Sequence, residues 1–131
     1  MIVLDTHVII WDALSPSKLS SEAKNLIQQA NRNDGIVFCE ISLWEIAMLI
    51  QKKRMIIETD YLTFIKYVYA SNKYFYQHLT PEIADLATSF PPEINQDPAD
   101  RIIAATSVVL NARLVTADQN LRKSKLLNTI W

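Results

Sequence analysis

One segment in the last third of the chain limits the possible folds more than any other, because it has the pattern of a capped helix followed by a buried strand. Asp97 is a favourable N-cap, and Pro98 suits the first helical position, where its missing N–H would have no partner. The mostly apolar residues 102–110 predict a buried helix, and Leu114–Thr116 predicts a short interior strand with Asp118 just past its end. A helix start and a strand end that each carry a carboxylate can share the ligand-binding edge of an open α/β sheet.

Other short apolar runs predict the remaining strands of a parallel sheet. Ile2–Leu4 and Ile36–Cys39 are typical of buried central strands, Phe75–Leu79 is a weaker candidate, and Thr129–Trp131 is a candidate edge strand. The predicted helices span residues 6–14, 20–31, 42–53, 61–72, 80–89, 98–111 and 119–124. Because right-handed crossovers place helices on both faces of a parallel sheet, we expect a three-layer α/β/α sandwich with a central, mostly parallel sheet of four or five strands. Residues 1–131 are predicted to form a single domain.

Composition excludes several classes of protein. Gly35 is the only glycine, whereas a P-loop or a dinucleotide-binding turn needs several glycines so that the backbone can approach phosphate. No apolar run approaches the ~20 residues of a membrane span, so no membrane partner is expected. Cys39 is the only cysteine and the N-terminal residues do not resemble a signal peptide, so we expect a cytoplasmic protein. The net charge of −1 argues mildly against a nucleic-acid partner.

Four acidic residues are predicted to meet at one edge of the sheet. Asp5 and Asp118 follow strands, and Glu45 and Asp100 are predicted in the first turns of helices. Each alone is also explained as a helix cap, and Ser42 with Glu45 matches a capping box. Together, however, like charges ~5 Å apart repel by ~3 kcal/mol at an effective dielectric constant of ~20, so such a cluster favours a bound cation or raised pKa values. Oxygen ligands without nearby His or Cys favour Mg²⁺ or Mn²⁺ over zinc.

The motifs that contain these acids resemble those of a known nuclease family. They are Asp5-Thr6-His7, the segment Ile41–Ala47, the segment Asp97–Thr106 and the segment Leu114–Asp118. In this order and at these spacings they resemble PIN-domain ribonucleases, and in particular the VapC toxins of prokaryotic toxin–antitoxin pairs. The resemblance implies an endoribonuclease that depends on Mg²⁺ or Mn²⁺, cuts RNA, is neutralised by a VapB-type antitoxin and forms a homodimer.

The same resemblance implies roles for the four acidic residues. Asp5, Glu45, Asp100 and Asp118 would form the catalytic site. Asp5 and Asp100 would bind the metal ion, and Asp118 would contribute to the metal site directly or through water. Glu45 would orient or activate the attacking water.

Several neighbours of these acids are candidates for supporting roles. Thr6 and Thr116 are expected to hydrogen-bond the acidic side chains, and Asp97 is expected to support the same site. Arg101 is a candidate contact to an RNA phosphate, with a surface ion pair as the alternative. His7 is a candidate substrate contact, with an ordinary position at a helix start as the alternative.

Other functions remain to be compared with the nuclease hypothesis. A phosphoacceptor receiver domain would need a paired acid at the first strand end and a lysine after the last strand, and neither is present. A haloacid-dehalogenase-like phosphatase would need a second aspartate where His7 stands. A PIN-type nuclease that processes RNA without acting as a toxin, and a non-catalytic RNA- or protein-binding module on the same fold, both remain open.

Overall fold

Five parallel strands form the centre of the protein in a computed structural model that describes all of residues 1–131. The strands are β1 (Ile2–Leu4), β2 (Ile36–Cys39), β3 (Tyr74–Gln77), β4 (Arg113–Val115) and β5 (Thr129–Ile130). Their order across the sheet is β3-β2-β1-β4-β5. Every neighbouring pair is parallel. The predicted parallel α/β/α architecture is therefore confirmed, including the edge strand near the C-terminus.

Seven helices connect and cover these strands. They are α1 (Thr6–Leu14), α2 (Ser21–Arg32), α3 (Glu40–Gln51), α4 (Tyr61–Ser71), α5 (Pro81–Ser89), α6 (Pro98–Val109) and α7 (Gln119–Lys123), with a 3₁₀ turn at Pro16–Lys18. None of these helices has both the length and the apolar composition that crossing a membrane requires.

The central strands bury both of their faces, which explains their continuous apolar runs. Ile2 and Leu4 of β1 belong to one core cluster, together with residues of α1, α2 and α4. Val3 belongs to a second cluster, together with residues of α5 and α6. Side chains alternate across a strand, so each of these strands contributes to both helical layers. The carboxyl ends of all five strands consequently share one edge of the sheet.

The start of α3 differs from the sequence-based prediction. The helix begins at Glu40, directly after β2, and its N-cap Cys39 makes no side-chain capping bond. Ser42 was expected to open this helix as a capping box with Glu45. Instead Ser42 is fully buried within the helix, where its hydroxyl contacts Thr6. Glu45 therefore lies in the second turn of the helix, not in its first turn.

Two residues with positive φ mark the tight connections of the sheet. Gly35, with φ of 87°, precedes β2, and a Cβ at this position would lie 2.8 Å from the Lys73 carbonyl oxygen. The only glycine is thus placed where a side chain would be both strained and crowded. Asn111, with φ of 51°, follows the end of α6 and allows the chain to turn into β4.

Candidate active site

The four predicted acids lie at the edge formed by the carboxyl ends of the strands. Asp5 follows β1 and caps α1, and Asp118 lies beyond β4 and caps α7. Asp100 is in the first turn of α6, and Glu45 is one turn into α3. The fold brings these residues together from segments more than a hundred positions apart.

Asp5 is the most buried of these acids, and protein donors contact both of its oxygens. Oδ1 accepts a hydrogen bond from the Thr6 backbone N–H at 2.8 Å, and Oδ2 accepts one from the Thr116 hydroxyl at 2.7 Å. Burial raises the pKa of Asp5, and the bonds from Thr116 and Thr6 oppose that rise only in part. Asp5 is thus fixed in orientation but costly to ionise without a nearby cation.

Thr116 links the two acids that follow strands. While its hydroxyl donates to Asp5, its oxygen accepts a hydrogen bond from the Asp118 backbone N–H at 3.0 Å. Asp118 in turn uses Oδ1 to accept the Leu121 N–H at 3.0 Å, as the N-cap of α7. Thr116 is fully buried, so this connection is shielded from water.

Glu45 is oriented by two hydroxyl groups in series. The Thr6 hydroxyl donates to Glu45 Oε1, and the Ser42 hydroxyl lies 2.8 Å from the Thr6 hydroxyl oxygen. Because Thr6 has one hydroxyl proton and gives it to Glu45, Ser42 must be the donor to Thr6. Burial raises the pKa of Glu45 to about 7, the Thr6 bond opposes this, and the negative charges of Asp100 and Asp5 add to it.

Asp100 and Asp118 share one amide group. Asn95 Nδ2 donates to Asp100 Oδ2 at 3.0 Å and to Asp118 Oδ2 at 3.0 Å. Asn120 Nδ2 donates to Asn95 Oδ1 and so fixes the orientation of the Asn95 amide. Burial raises the pKa of Asp100 to about 6, against the lowering effect of Asn95.

Three carboxylates come close enough to share one ion. Glu45, Asp97 and Asp100 each offer one oxygen, and these oxygens all lie within 4.8 Å of one another. Asp97 also caps α6 by accepting the N–H groups of Ala99 and Asp100, at 2.9 and 3.2 Å. Asp100 is the only member of the predicted ligand set in this group. The donors are all carboxylate oxygens, so they fit a hard divalent cation.

The two predicted substrate contacts have different surroundings. Exposed His7 lies in the first turn of α1, beside Asp5, and its ring is 5.9 Å from the Trp11 ring between centroids. Arg101 forms no ion pair, and backbone carbonyls accept from all three of its guanidinium nitrogens. Its guanidinium donates at 2.8 to 3.3 Å to the carbonyl oxygens of Ala87, Phe90, Pro91, Ile94 and Asn95. Arg101 therefore holds the loop between α5 and α6, and these bonds use the N–H groups that a phosphate contact would need.

Sequence reasoning missed three residues of this site. Ser42 was assigned to a capping box, and Asn95 and Asn120 were not singled out. Asn95 lies in an irregular Pro-containing loop, so no helical or strand period marks it. The available signal was its position two residues before Asp97, in a polar stretch that leads directly into an acidic motif.

The largest cleft does not contain the acids. It has a volume of about 820 Å³ and lies between α1, the C-terminal half of α3, residues 54–59 and α4. Its exposed apolar residues include Ile56 and Tyr67, and His7 also lines it. His7 is two positions from Asp5, so the cleft opens next to the acidic edge.

Comparison with known proteins now identifies the family. The family model of the PIN domain matches residues 2–125 of this chain. The chain therefore belongs to the PIN-domain family, with a relative named Ribonuclease VapC22 from Mycobacterium tuberculosis. The two proteins are 32% identical over 132 residues, which cover 99% of this chain and 98% of the relative.

Solved structures share the fold at low sequence identity. VapBC2 from Rickettsia felis, bound to a DNA fragment from its promoter, matches with a TM-score of 0.73 and 16% identity, covering 99% of this chain and 98% of that chain. FitAcB from Neisseria gonorrhoeae matches with a TM-score of 0.66 and 16% identity, covering 100% of this chain and 97% of that one. These matches agree with the five-stranded parallel sheet described above.

Proposed function

We propose that the protein is a Mg²⁺- or Mn²⁺-dependent endoribonuclease and the toxin of a type II toxin–antitoxin system. The observation that carries this proposal is the convergence of Asp5, Glu45, Asp100 and Asp118 at one sheet edge. Burial raises the pKa values of the first three, and the charges of neighbouring acids add to that rise, so a bound cation would favour their ionised forms. The name of the mycobacterial relative supports the choice of RNA as substrate.

Asp100 is the residue most firmly assigned to the metal. It belongs both to the ligand set that the motifs imply, with Asp5 and Asp118, and to the trio that lies within 4.8 Å, with Glu45 and Asp97. When bound, Mg²⁺ or Mn²⁺ supplies positive charge that polarises a phosphodiester and stabilises the charge developed during displacement. We propose that Asp5 and Asp118, which are held rigidly by protein donors, place negative charge beside the cation. Asp100 is proposed to approach the cation most directly.

Glu45 is proposed to accept a proton from the attacking water. Burial raises the pKa of metal-free Glu45 to about 7, so its carboxylate is a stronger base than that of an ordinary glutamate. Thr6 and Ser42 fix the direction of one oxygen, which leaves Oε2 for water. A cation beside Glu45 would lower its pKa, because positive charge favours the ionised form.

Two apolar surfaces support the proposed protein partners. The cleft beside His7 exposes 88% of Ile56 and 62% of Tyr67, and we propose that it receives a segment of a VapB-type antitoxin. On another face Trp44 is 58% exposed and lies near Leu79, which is 54% exposed. We propose that a second copy of the chain covers this face in a homodimer. Residues 1–131 would act as one nuclease domain in the cytoplasm, where they would meet RNA.

The activity is tested with purified protein, structured RNA and a titration of Mg²⁺ or Mn²⁺. Cleavage should require the added ion, stop with EDTA and be lost in Asp100→Asn. Asp85→Asn is the matched control, because Asp85 is an exposed acid on α5. Cleavage that survives EDTA, or that is unchanged in Asp100→Asn, would overturn the proposal.

The alternatives give different results in the same preparation. A non-catalytic binding module would retain RNA without cutting it at any ion concentration. A PIN nuclease with a processing role would cut RNA yet leave growth unaffected when the chain is expressed without an antitoxin. A toxin should arrest growth, and Asp100→Asn should remove that arrest.

A further inference from the structure

Asn95 connects two acids of the site that belong to different parts of the chain. Its single amide nitrogen donates one hydrogen bond to Asp100 on α6 and one to Asp118 before α7, each at 3.0 Å. An amide nitrogen has two protons, so both bonds form at once and the donor capacity of this group is filled. None of the four predicted acids lies within the loop that contains Asn95.

We propose that Asn95 is a positioning residue that holds Asp100 and Asp118 in their cation-binding orientations before the cation arrives. This inference rests on the proposed function and adds a residue to that site. Two oxygens bonded to one nitrogen are no more than about 6 Å apart, a separation at which like charges repel appreciably. Two N–H donors pointed at them offset that repulsion.

The neutrality of the amide is central to this role. A lysine or arginine at this position would also hold two carboxylates together, but its positive charge would compete with the incoming cation. An amide orients the same oxygens without neutralising them. The acids therefore keep the negative charge that attracts a divalent ion.

The Asn95 side chain is held in one amide orientation. Asn120 Nδ2 donates to Asn95 Oδ1, so the oxygen end of the amide faces Asn120 and the nitrogen end faces the two acids. Asn120 is exposed and acts on the acids through Asn95 alone in this network. Its effect on cation binding should therefore disappear when Asn95 is replaced.

The backbone of the same loop is held by Arg101. Its Nε donates to the Asn95 carbonyl at 2.8 Å, and Nη2 donates to the Ile94 carbonyl at 3.3 Å. Nη1 reaches back to the carbonyls of Ala87 and Phe90, at the end of α5. The guanidinium thus fixes the position of Asn95 relative to α6, on which both Arg101 and Asp100 lie.

The test measures Mn²⁺ binding by calorimetry on the full chain, for the parent and for Asn95→Ala. Loss of an outer hydrogen-bond partner of metal ligands typically weakens metal binding by about 10- to 100-fold, and we expect a loss in this range. Gln96→Ala is the matched control, because Gln96 is in the same loop and its amide donates only to the Pro92 carbonyl. The control should bind Mn²⁺ like the parent.

A second readout separates positioning from chemistry. Because the cation itself can draw the acids together, RNA cleavage by Asn95→Ala should return to within about threefold of the parent rate at saturating Mn²⁺, and should fail mainly at low Mn²⁺. Cleavage that stays low at saturating Mn²⁺ would contradict a positioning role. Mn²⁺ affinity within about twofold of the Gln96→Ala control would overturn it as well.

Asn120→Ala keeps the proposal testable if Asn95→Ala does not fold. This exposed substitution should weaken Mn²⁺ binding in the same direction but by less than Asn95→Ala. Where Asn95→Ala does fold, Asn120→Ala should add less than about twofold to its loss in the double variant, because the two residues act in series. Additive losses, or no loss in Asn120→Ala, would overturn the inference. A parent protein that binds no Mn²⁺ would overturn this inference and the proposed function together.

Discussion

The acids that follow strands and the acids carried by helices are held in different ways. Asp5 and Asp118 each accept protein donors on both oxygens. Glu45 and Asp100 each accept a side-chain donor on one oxygen and leave the other without a protein donor. Asp5 and Asp118 are thus held in fixed orientations. Glu45 and Asp100 each keep an oxygen that remains available to an ion, a water molecule or a substrate.

The largest effect is expected at Glu45, the acid on α3 that is proposed to accept a proton from the attacking water. Glu45→Gln keeps the size of the side chain and removes the basic carboxylate, so RNA cleavage should fall by about 10²- to 10⁴-fold. Steady-state cleavage at saturating Mn²⁺ measures this loss. Glu40→Gln, an exposed acid at the start of α3, is the control and should cleave normally.

The next largest effect is expected when the hydroxyl of Thr6, which donates to Glu45, is removed. Thr6→Val keeps the shape of the residue but removes the donor to Glu45, and cleavage should fall by about 10- to 100-fold. The same change should move the acidic limb of the pH–rate profile upward, because the Thr6 bond lowers the pKa of Glu45. Thr63→Val, which removes an exposed hydroxyl on α4, should leave the profile in place. If the acidic limb of the pH–rate profile stays in place in Thr6→Val, the Thr6 hydrogen bond does not affect the pKa of Glu45.

Replacing Asp5, which follows β1, should have opposite effects on stability and on activity. Asp5→Asn removes a buried charge, so the metal-free protein should melt at a higher temperature than the parent, although cleavage is lost. Mn²⁺ should stabilise the parent more than this variant. Calorimetry or circular dichroism with and without Mn²⁺ measures both effects. A lower melting temperature for metal-free Asp5→Asn would indicate that the ionised carboxylate stabilises the folded protein.

The smallest effect is the pH dependence of stability without metal. The folded-state pKa values of Asp100 and Glu45 are raised to about 6 and about 7, above ordinary values of 3.8 and 4.5. Their protonated forms favour folding, so this contribution is full below about pH 4 and is lost as the pH rises through about 6 to 7. Urea unfolding across this window should show decreasing stability. Glu45→Gln should flatten the upper part of the curve, and an unchanged curve would contradict the assigned pKa.

Much of the fold could be predicted because its signals are local. Ile2–Leu4 and Ile36–Cys39 are short apolar runs buried on both faces, and Asp97 with Pro98 marks a helix start. These patterns depend on neighbouring residues, so the sequence alone placed the strands and the edge where the acids meet.

The parts that could not be predicted depend on distant contacts. The capping-box pattern at Ser42 gave the wrong start for α3, because the Ser42 hydroxyl contacts Thr6, 36 positions away. Arg101 was a candidate for an RNA phosphate contact or a surface ion pair, but its partners are carbonyls that a loop brings to it only after folding. Asn95 bridges acids at two other positions and has no period of its own. Hydrogen-bond partners of this kind are fixed by tertiary structure.

Anomalous diffraction at the manganese edge, from crystals soaked in Mn²⁺, tests the central claim most directly. A peak is expected at the carboxyl edge of the sheet, in contact with Asp100 and beside Asp5 and Glu45. The same soak of Asp100→Asn crystals should show a much weaker peak. Parent crystals with no peak among these carboxylates at saturating Mn²⁺ would contradict the account.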